Sequence, residues 1–277
     1  MENPADCKVL VLPCTDDFDP DKIFSCGQCF RWNRCTDGSY TGVALGRAVR
    51  LEKAGDRLYL YGVVQADAAL WRSYFDLDRS YAAIRRQLGI DGYMRACTEY
   101  GAGIRILRQD SWEALCTFII SQCNNIPRIT RIVETLCALC GAEVRLEGRA
   151  YRTFPSPEAV ASLSLEALAP LRCGYRAPYI LNAARTISEG RLDLSALSAG
   201  STQQALEALC ALDGVGLKVA SCAALFGLQK LDVFPVDVWM KKALRAHYPA
   251  GLDPLVFGGY AGIAQQYMFY YQRLNGR

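Results

Sequence analysis

The sequence predicts an α+β fold: an N-terminal antiparallel β-sheet with flanking helices over residues 1–100, then an all-helical domain over 101–277. Three observations predict it. Strand-like runs rich in Val, Leu and Tyr, joined by very short turns, fill most of the first hundred residues. From about Ile104 onward, helix caps and helical apolar spacing follow one another. The length, 277 residues, is that of two domains or one large one at roughly 150 residues each, enough for a core without disulfides or a metal.

In chain order, Lys8–Leu12 is a short strand-like run. Tyr40–Leu45, Arg47–Lys53 and Arg57–Val63 follow as strands, with Asp37-Gly38 and Ala54-Gly55-Asp56 as turns. Connections this short imply antiparallel hairpins. Ala66–Tyr74 and Tyr81–Leu88 read as helices. In the second part, Ser111 is the expected cap of a helix carrying Trp112, Leu115, Cys116, Ile119 and Ile120 at helical spacing. Asn125 caps the next, with Ile129, Ile132, Val133, Leu136 and Cys140 on one face and Gly141 just past its end. Ser156-Pro157 sets a cap before a proline at the first helical position. Arg176–Ser188 is a further helix, closed by Gly190. Ser201 and Gln204 form a capping-box pattern ahead of Leu206, Leu209 and Leu212.

Composition narrows the function. Apolar residues make up 51% and charged residues 21%, as in an ordinary globular chain. The net charge of +3 neither implies nor excludes a polyanion partner. It is uneven, however: residues 1–100 carry 13 basic and 14 acidic side chains, residues 101–277 carry 18 and 14. The helical part is therefore the expected docking surface for an anion. The single histidine, His247, excludes His-rich metal sites and allows a Ser-His-Asp triad only if it stands at the active site. Thirteen cysteines, with an opening MENPADCKVL that lacks a leader pattern, read as free thiols in a reducing cytosol. Cys26-Cys29 and Cys137-Cys140 are spaced as Cys-x-x-Cys but lie far apart in sequence; they read as structural, with a zinc site as the alternative. No apolar run approaches the ~18 residues of a membrane helix.

The chemistry concentrates in Leu212-Asp213-Gly214-Val215-Gly216-Leu217-Lys218-Val219-Ala220. One helix ends at Gly214 and another begins near Leu217, so Gly214-Val215-Gly216 is the tight link of a helix–hairpin–helix within residues 211–226. Its glycines admit positive φ and leave no side chain between backbone and ligand. The free N–H groups of the second helix offer a phosphate site. A plain αα-hairpin would use the same glycines. Lys218 stands in the first turn, where the helix field disfavours a cation. That field favours the neutral amine, the form an imine-forming nucleophile needs; a phosphate contact is the other reading. Downstream, Pro235-Val236-Asp237-Val238-Trp239 places Asp237 as cap of a helix that includes Leu244. A lysine and an aspartate on successive helix N-termini can face each other across a cleft.

Gly214-Val215-Gly216-Leu217-Lys218 with Pro235-Val236-Asp237 resembles the helix–hairpin–helix Gly/Pro/Asp signature of base-excision DNA glycosylases. Further segments resemble the 8-oxoguanine DNA glycosylase/lyase family in particular: Ser25-Cys26-Gly27-Gln28-Cys29-Phe30-Arg31-Trp32, Tyr74-Phe75-Asp76-Leu77-Asp78, Asn124-Asn125-Ile126-Pro127-Arg128, Gly174-Tyr175-Arg176-Ala177 and Tyr260-Ala261-Gly262-Ile263-Ala264-Gln265. They keep the family's order over nearly the whole chain.

The resemblance implies Lys218 as nucleophile and Asp237 as stabiliser of developing positive charge, with no cofactor or metal. It implies that Gly27 offers a backbone carbonyl to the lesion's N7–H, that Cys222 and Phe269 stack on its two faces, and that Gln265 reads its Watson–Crick edge. Core packing is the plainer reading of Cys222 and Phe269. Arg128 and Arg176 match the arginines that hold the orphaned cytosine, Tyr175 the wedge, and Asn124 belongs to the same strand-gripping loop. Two positions depart from the family: Cys123 replaces an asparagine that fills the emptied stack, and Trp239 replaces a histidine that contacts phosphate. The implied partner is duplex DNA containing 8-oxoguanine, met by a monomer, with no membrane. The expected location is the cytoplasmic nucleoid in a prokaryote or the nucleus in a eukaryote, no targeting signal being seen. A non-catalytic DNA-binding module and a glycosylase for alkylated purines are the competing classes.

Overall fold

The structure is a computed structural model that describes residues 8–276. The opening residues read for a leader, and Cys7, lie outside them.

Strand β1, Val9–Pro13, turns Leu10 and Leu12 inward by simple alternation. Helix α1, Pro20–Ser25, follows, with Asp19 capping Lys22 N and Pro20 at the first position. Strands β2 (Trp32–Arg34), β3 (Tyr40–Ala44), β4 (Arg47–Ala54) and β5 (Arg57–Tyr61) complete an antiparallel sheet in the order β1-β5-β4-β3-β2. Of the predicted turns, Asp37-Gly38 joins β2 to β3 and Ala54-Gly55-Asp56 joins β4 to β5, while the β3–β4 turn at Leu45-Gly46 was not foreseen; α1 and β2 escaped prediction because neither is long enough to show a period. Helix α2, Ala68–Tyr74, covers the sheet with Trp71, and Phe75 follows it into the same core.

Helices α3 (Tyr81–Leu88) and α4 (Gly92–Tyr100) send Tyr81, Ile84, Leu88, Met94 and Cys97 into the core of the helical part. Next come α5 (Ser111–Ser121) and α6 (Ile126–Cys140). The cap of α5 is Asp110, not Ser111: Asp110 accepts from Glu113 N at 2.8 Å, while the Ser111 hydroxyl donates to Gly227 O at 2.9 Å. A carboxylate is the stronger acceptor for a helix N-terminus, which frees the serine for a tertiary bond. Asn125 caps α6 as expected.

The second part is helical apart from one hairpin, β6 (Glu143–Leu146) with β7 (Arg149–Arg152), whose Leu146 packs on Val43 and Ala48 of the large sheet. Its mostly polar alternation hid it from the sequence. Helices α7 (Pro157–Ala161), α8 (Arg176–Ser188), α9 (Leu194–Ala199), α10 (Thr202–Cys210), α11 (Leu217–Gly227), α12 (Val238–His247) and α13 (Ala261–Asn275) follow. The Ser201–Gln204 capping box of α10 is formed in both directions.

Helices α5 and α11 run together through the centre, apolar on nearly every face. Gly227 permits this approach, since a Cβ there would meet the Ala114 Cβ at 2.9 Å. Helix α13 crosses α4 and α12 and reaches the C-terminal end of α1. Among the described residues no helix is long and apolar enough to cross a membrane, and no three His, Cys, Asp or Glu side chains are grouped to hold a metal ion. The twelve described cysteines are free thiols.

Candidate active site

The hairpin between α10 and α11 uses its two glycines differently. Gly214 has φ +73°, and a Cβ there would overlap the Tyr179 ring, so the residue is required by backbone and neighbour alike. Gly216 has φ −85° and nothing within 4 Å of where a Cβ would stand. Its lack of a side chain keeps the start of α11 open to a ligand rather than relieving strain. Val215 is buried, and its N–H seals the turn on Leu212 O at 3.1 Å. Leu217, 65% exposed, projects beside the open helix start.

Lys218, the second residue of α11, enters a recess of about 60 Å³. Cys222 lies one turn further along the same helix. Asp237 arrives from the start of α12, where its Oδ1 accepts from Trp239 N at 3.0 Å and Met240 N at 2.9 Å. Helix α13 contributes Gln265 and Phe269, and the loop after α1 contributes Gly27. All six were singled out from sequence, and the fold gathers them from four separate elements. Phe118, Phe226, Pro235, Cys26 and Gln266 complete the walls. Phe118 stacks on Phe226 with centroids 5.3 Å apart and carries the Lys218 ammonium 5.5 Å from its own. Neither phenylalanine was foreseen, since each sits in an apolar helix where nothing separates wall from core.

Burial pushes the Cys222 thiol up, Lys218 draws it back down, and the Asp237 carboxylate adds to the rise. The three side chains therefore share one electrostatic environment. Gln265 is only 5% exposed, and its amide has no hydrogen-bond partner among the described residues. An amide left free at the wall of a recess can offer its donors and acceptor to a ligand edge without breaking a bond within the protein. The Gly27 carbonyl is likewise unpaired among the described residues. Gly27 has φ +81°, and a Cβ there would touch Phe269 Cε1 at an ordinary 3.6 Å. The backbone conformation, not crowding by the protein, requires glycine.

A larger groove of about 770 Å³ lies behind the hairpin, between Tyr179, Asn182, Arg185 and Asp213. It contains no lysine, so it offers no amine for imine chemistry, and chemistry rather than size distinguishes the recess.

Cys123, Asn124, Arg128, Tyr175 and Arg176, the residues expected to meet the DNA strand, form a second patch. Cys123 is exposed with φ +45°, and Asn124 donates back to Ile120 O at 3.1 Å. Arg128 is exposed and gives one N–H to Arg172 O at 3.1 Å. Arg176, expected at the orphaned cytosine, is not freely presented in this structure. It is 3% exposed and donates to Gln122 O at 3.0 Å, Cys173 O at 3.1 Å and Cys123 O at 3.3 Å. It therefore braces the Cys123 loop from beneath. Tyr175, 52% exposed, lies over its guanidinium, 4.4 Å from ring centroid to Cζ. Trp239 does not line the recess; its ring lies beneath the Lys242 ammonium at 4.7 Å. His247 stacks on Tyr93 at 3.7 Å, outside the recess, which removes a histidine triad from consideration.

A helix–hairpin–helix whose lysine meets an aspartate from the next helix over an aromatic-walled recess defines a protein of the base-excision repair class. Residues 116–254 match the HhH-GPD superfamily of base excision DNA repair proteins, and residues 11–115 match the N-terminal domain of 8-oxoguanine DNA glycosylase. The chain belongs to the 8-oxoguanine DNA glycosylase family within that superfamily. It is 30% identical to the N-glycosylase/DNA lyase OGG1 of Arabidopsis thaliana over 94% of its own length and 76% of that protein's. The N-glycosylase/DNA lyase of Saccharomyces cerevisiae is 35% identical over 63% of this chain, a match that spans half of the yeast protein. Among solved structures, the 8-oxoguanine glycosylase/lyase of Clostridium acetobutylicum superposes with a TM-score of 0.90 at 34% identity, covering 95% of this chain and 96% of that one.

Proposed function

We propose that this chain is a bifunctional DNA glycosylase that removes 8-oxoguanine from duplex DNA and nicks the strand at the resulting site. The observation that carries the reading is the meeting of Lys218 and Asp237 over a recess lined by an unpaired glutamine amide and an unpaired glycine carbonyl. Excision requires the base to leave the stack and enter such a recess. Lys218 Nζ attacks the sugar C1′, and the base departs with the electron pair of the glycosidic bond and takes up a proton. Asp237 stabilises the positive charge that develops on the sugar. The amine gives up its protons, the C1′–O4′ bond opens with O4′ taking up a proton, and an imine between Lys218 and C1′ is left. Loss of a C2′ proton then expels the 3′ phosphate, and water finally releases Lys218.

Around the reacting bond, Cys222 and Phe269 stack on the two faces of the base. Gln265 pairs with its Watson–Crick edge, and the Gly27 carbonyl accepts the N7–H that guanine lacks. The α11 N–H groups beside Gly216 hold backbone phosphate. Arg128 and Tyr175 meet the orphaned cytosine and the opened stack, with Asn124 and Cys123 on the same loop. Arg176 reaches the cytosine on giving up its loop carbonyls. Trp239 N–H takes the phosphate contact of the family's histidine. The sheet part over 1–100 supplies Gly27 and the helical part over 101–277 the rest, in a monomer that works in the nucleoid or the nucleus according to its source.

Borohydride trapping tests the reading. Wild type forms a covalent adduct with a duplex carrying 8-oxoguanine opposite cytosine, and Lys218→Gln binds that duplex without trapping. Equal trapping by the variant overturns the assignment.

A further inference from the structure

The Gly27 carbonyl is the group that tells 8-oxoguanine from guanine in the reading above, and the loop that carries it has no regular structure of its own. Three glutamines and one arginine hold it. Gln266, from α13, donates to Cys26 O at 2.8 Å, on one side of Gly27. Gln109 donates to Gln28 O at 2.7 Å, on the other side. The Gln28 side chain, fully buried, donates to Arg105 O at 2.8 Å and to Ile23 O at 3.2 Å, and accepts from Leu107 N at 2.9 Å. Arg273, two turns beyond Gln266 on α13, donates to Ser25 O at 2.6 Å.

The Cys26–Gly27 and Gln28–Cys29 peptide units are thus both tied down. The unit between them, which carries the Gly27 carbonyl, keeps only a crankshaft rotation, and the anchored Gln28 side chain opposes it. The carbonyls of Ser25 and Cys26 are also the last ones of α1, which no residue of that helix satisfies. Helix α13 satisfies them across the recess. That helix carries Gln265 and Phe269 as well, so a single rigid element sets the base-edge reader, one stacking wall and the discriminating carbonyl at fixed spacing.

We propose that Gln266 is a positioning residue for lesion specificity. Through Cys26 O it holds the Gly27 carbonyl in the orientation that accepts the N7–H of 8-oxoguanine. The proposal rests on the base-reading role of Gly27. Its consequence separates two activities: base excision needs the carbonyl aimed, whereas cleavage of a preformed abasic site needs Lys218 and Asp237 but no base contact.

The test measures single-turnover rates of Gln266→Met and Gln266→Glu on two duplexes, one with 8-oxoguanine opposite cytosine and one with an abasic site. Both variants keep the side chain's length; Met has no donor, and Glu has none once ionised, so the assays are run at about pH 8. Excision is expected to fall about tenfold in each, the worth of one well-placed hydrogen bond, with abasic-site cleavage within about twofold of wild type. Equal losses on both duplexes overturn the proposal, because they report a disturbed catalytic centre. So do wild-type excision rates in the variants. Wild type is run in parallel on an analogue with carbon in place of N7. Equal wild-type rates on the lesion and the analogue overturn the Gly27 reading and this role with it; unequal rates with unimpaired variants overturn the Gln266 role alone.

Discussion

Asp237 carries two duties that one substitution can separate. Its Oδ1 caps α12 through Trp239 N and Met240 N, and its charge faces Lys218 and Cys222 over the recess. Asparagine caps a helix nearly as well as aspartate, so Asp237→Asn should keep the helix start and cost at most about 1 kcal/mol of stability. It removes the negative charge that the proposed transition state needs. Single-turnover excision is expected to drop by about a hundredfold or more, with DNA affinity retained. A thermal melt alongside the kinetics checks both halves; an unchanged rate would return Asp237 to being a cap alone. The family resemblance, more than residue type, made the recess legible in the sequence: Lys218, Cys222, Asp237, Gln265, Phe269 and Gly27 all meet there. What the sequence left out is the packing beneath the flanking residues. Arg176 matches an arginine that holds the orphaned cytosine, and here its donors rest on the Gln122 and Cys123 carbonyls. Trp239 reads as a site residue by position, yet its indole turns to Lys242.

At the scale of the element, the hairpin's glycines predict opposite outcomes for one chemical change. Gly214→Ala forces a side chain into positive φ and into the Tyr179 ring. A cost of about 1–3 kcal/mol is expected, read as a lower melting temperature. Gly216→Ala meets no neighbour and keeps an ordinary φ, so the melt should hardly move. Its methyl stands where a phosphate would approach the α11 N–H groups, and affinity for duplex DNA is the quantity expected to fall. Loss of stability at 216, or unchanged binding in both variants, would contradict the assignment of open space to Gly216. Among the elements, strands β3–β5 and helices with a capping pattern were readable because period and cap agree. Helix α1, strand β2 and the β6–β7 hairpin were not, being too short or too polar for a period to emerge. Helix α1 matters most among these, since its last carbonyls are what α13 grips to set the Gly27 loop.

Across the whole molecule, the sheet part and the helical part meet through a charged cluster that should make stability depend on pH. Arg31 follows the Gly27 loop and is 3% exposed; it donates to Glu134 of α6 at 3.0 Å and to Arg152 O of β7 at 2.5 Å. Its remaining Nη1 is buried without a partner. Beside it Glu113, in the first turn of α5, lines a small cavity with Cys29, Tyr74 and Gln109. Burial pushes the Glu113 carboxyl up to about 7; the Arg31 charge opposes that rise, and Asp110 and Glu134 reinforce it. In the unfolded chain the same group titrates near 4.5. Between these values the folded protein holds a proton that the unfolded chain has released. The contribution is therefore intact below about pH 4.5, declines as pH rises and is gone above about 7. Glu113→Gln fixes the neutral form. The variant should match wild type near pH 5 and exceed it at pH 8 by an amount on the order of 2–3 kcal/mol. Denaturant melts at the two pH values decide the matter: a wild-type slope that persists unchanged in the variant would place the pH dependence elsewhere than at the joint between the two parts.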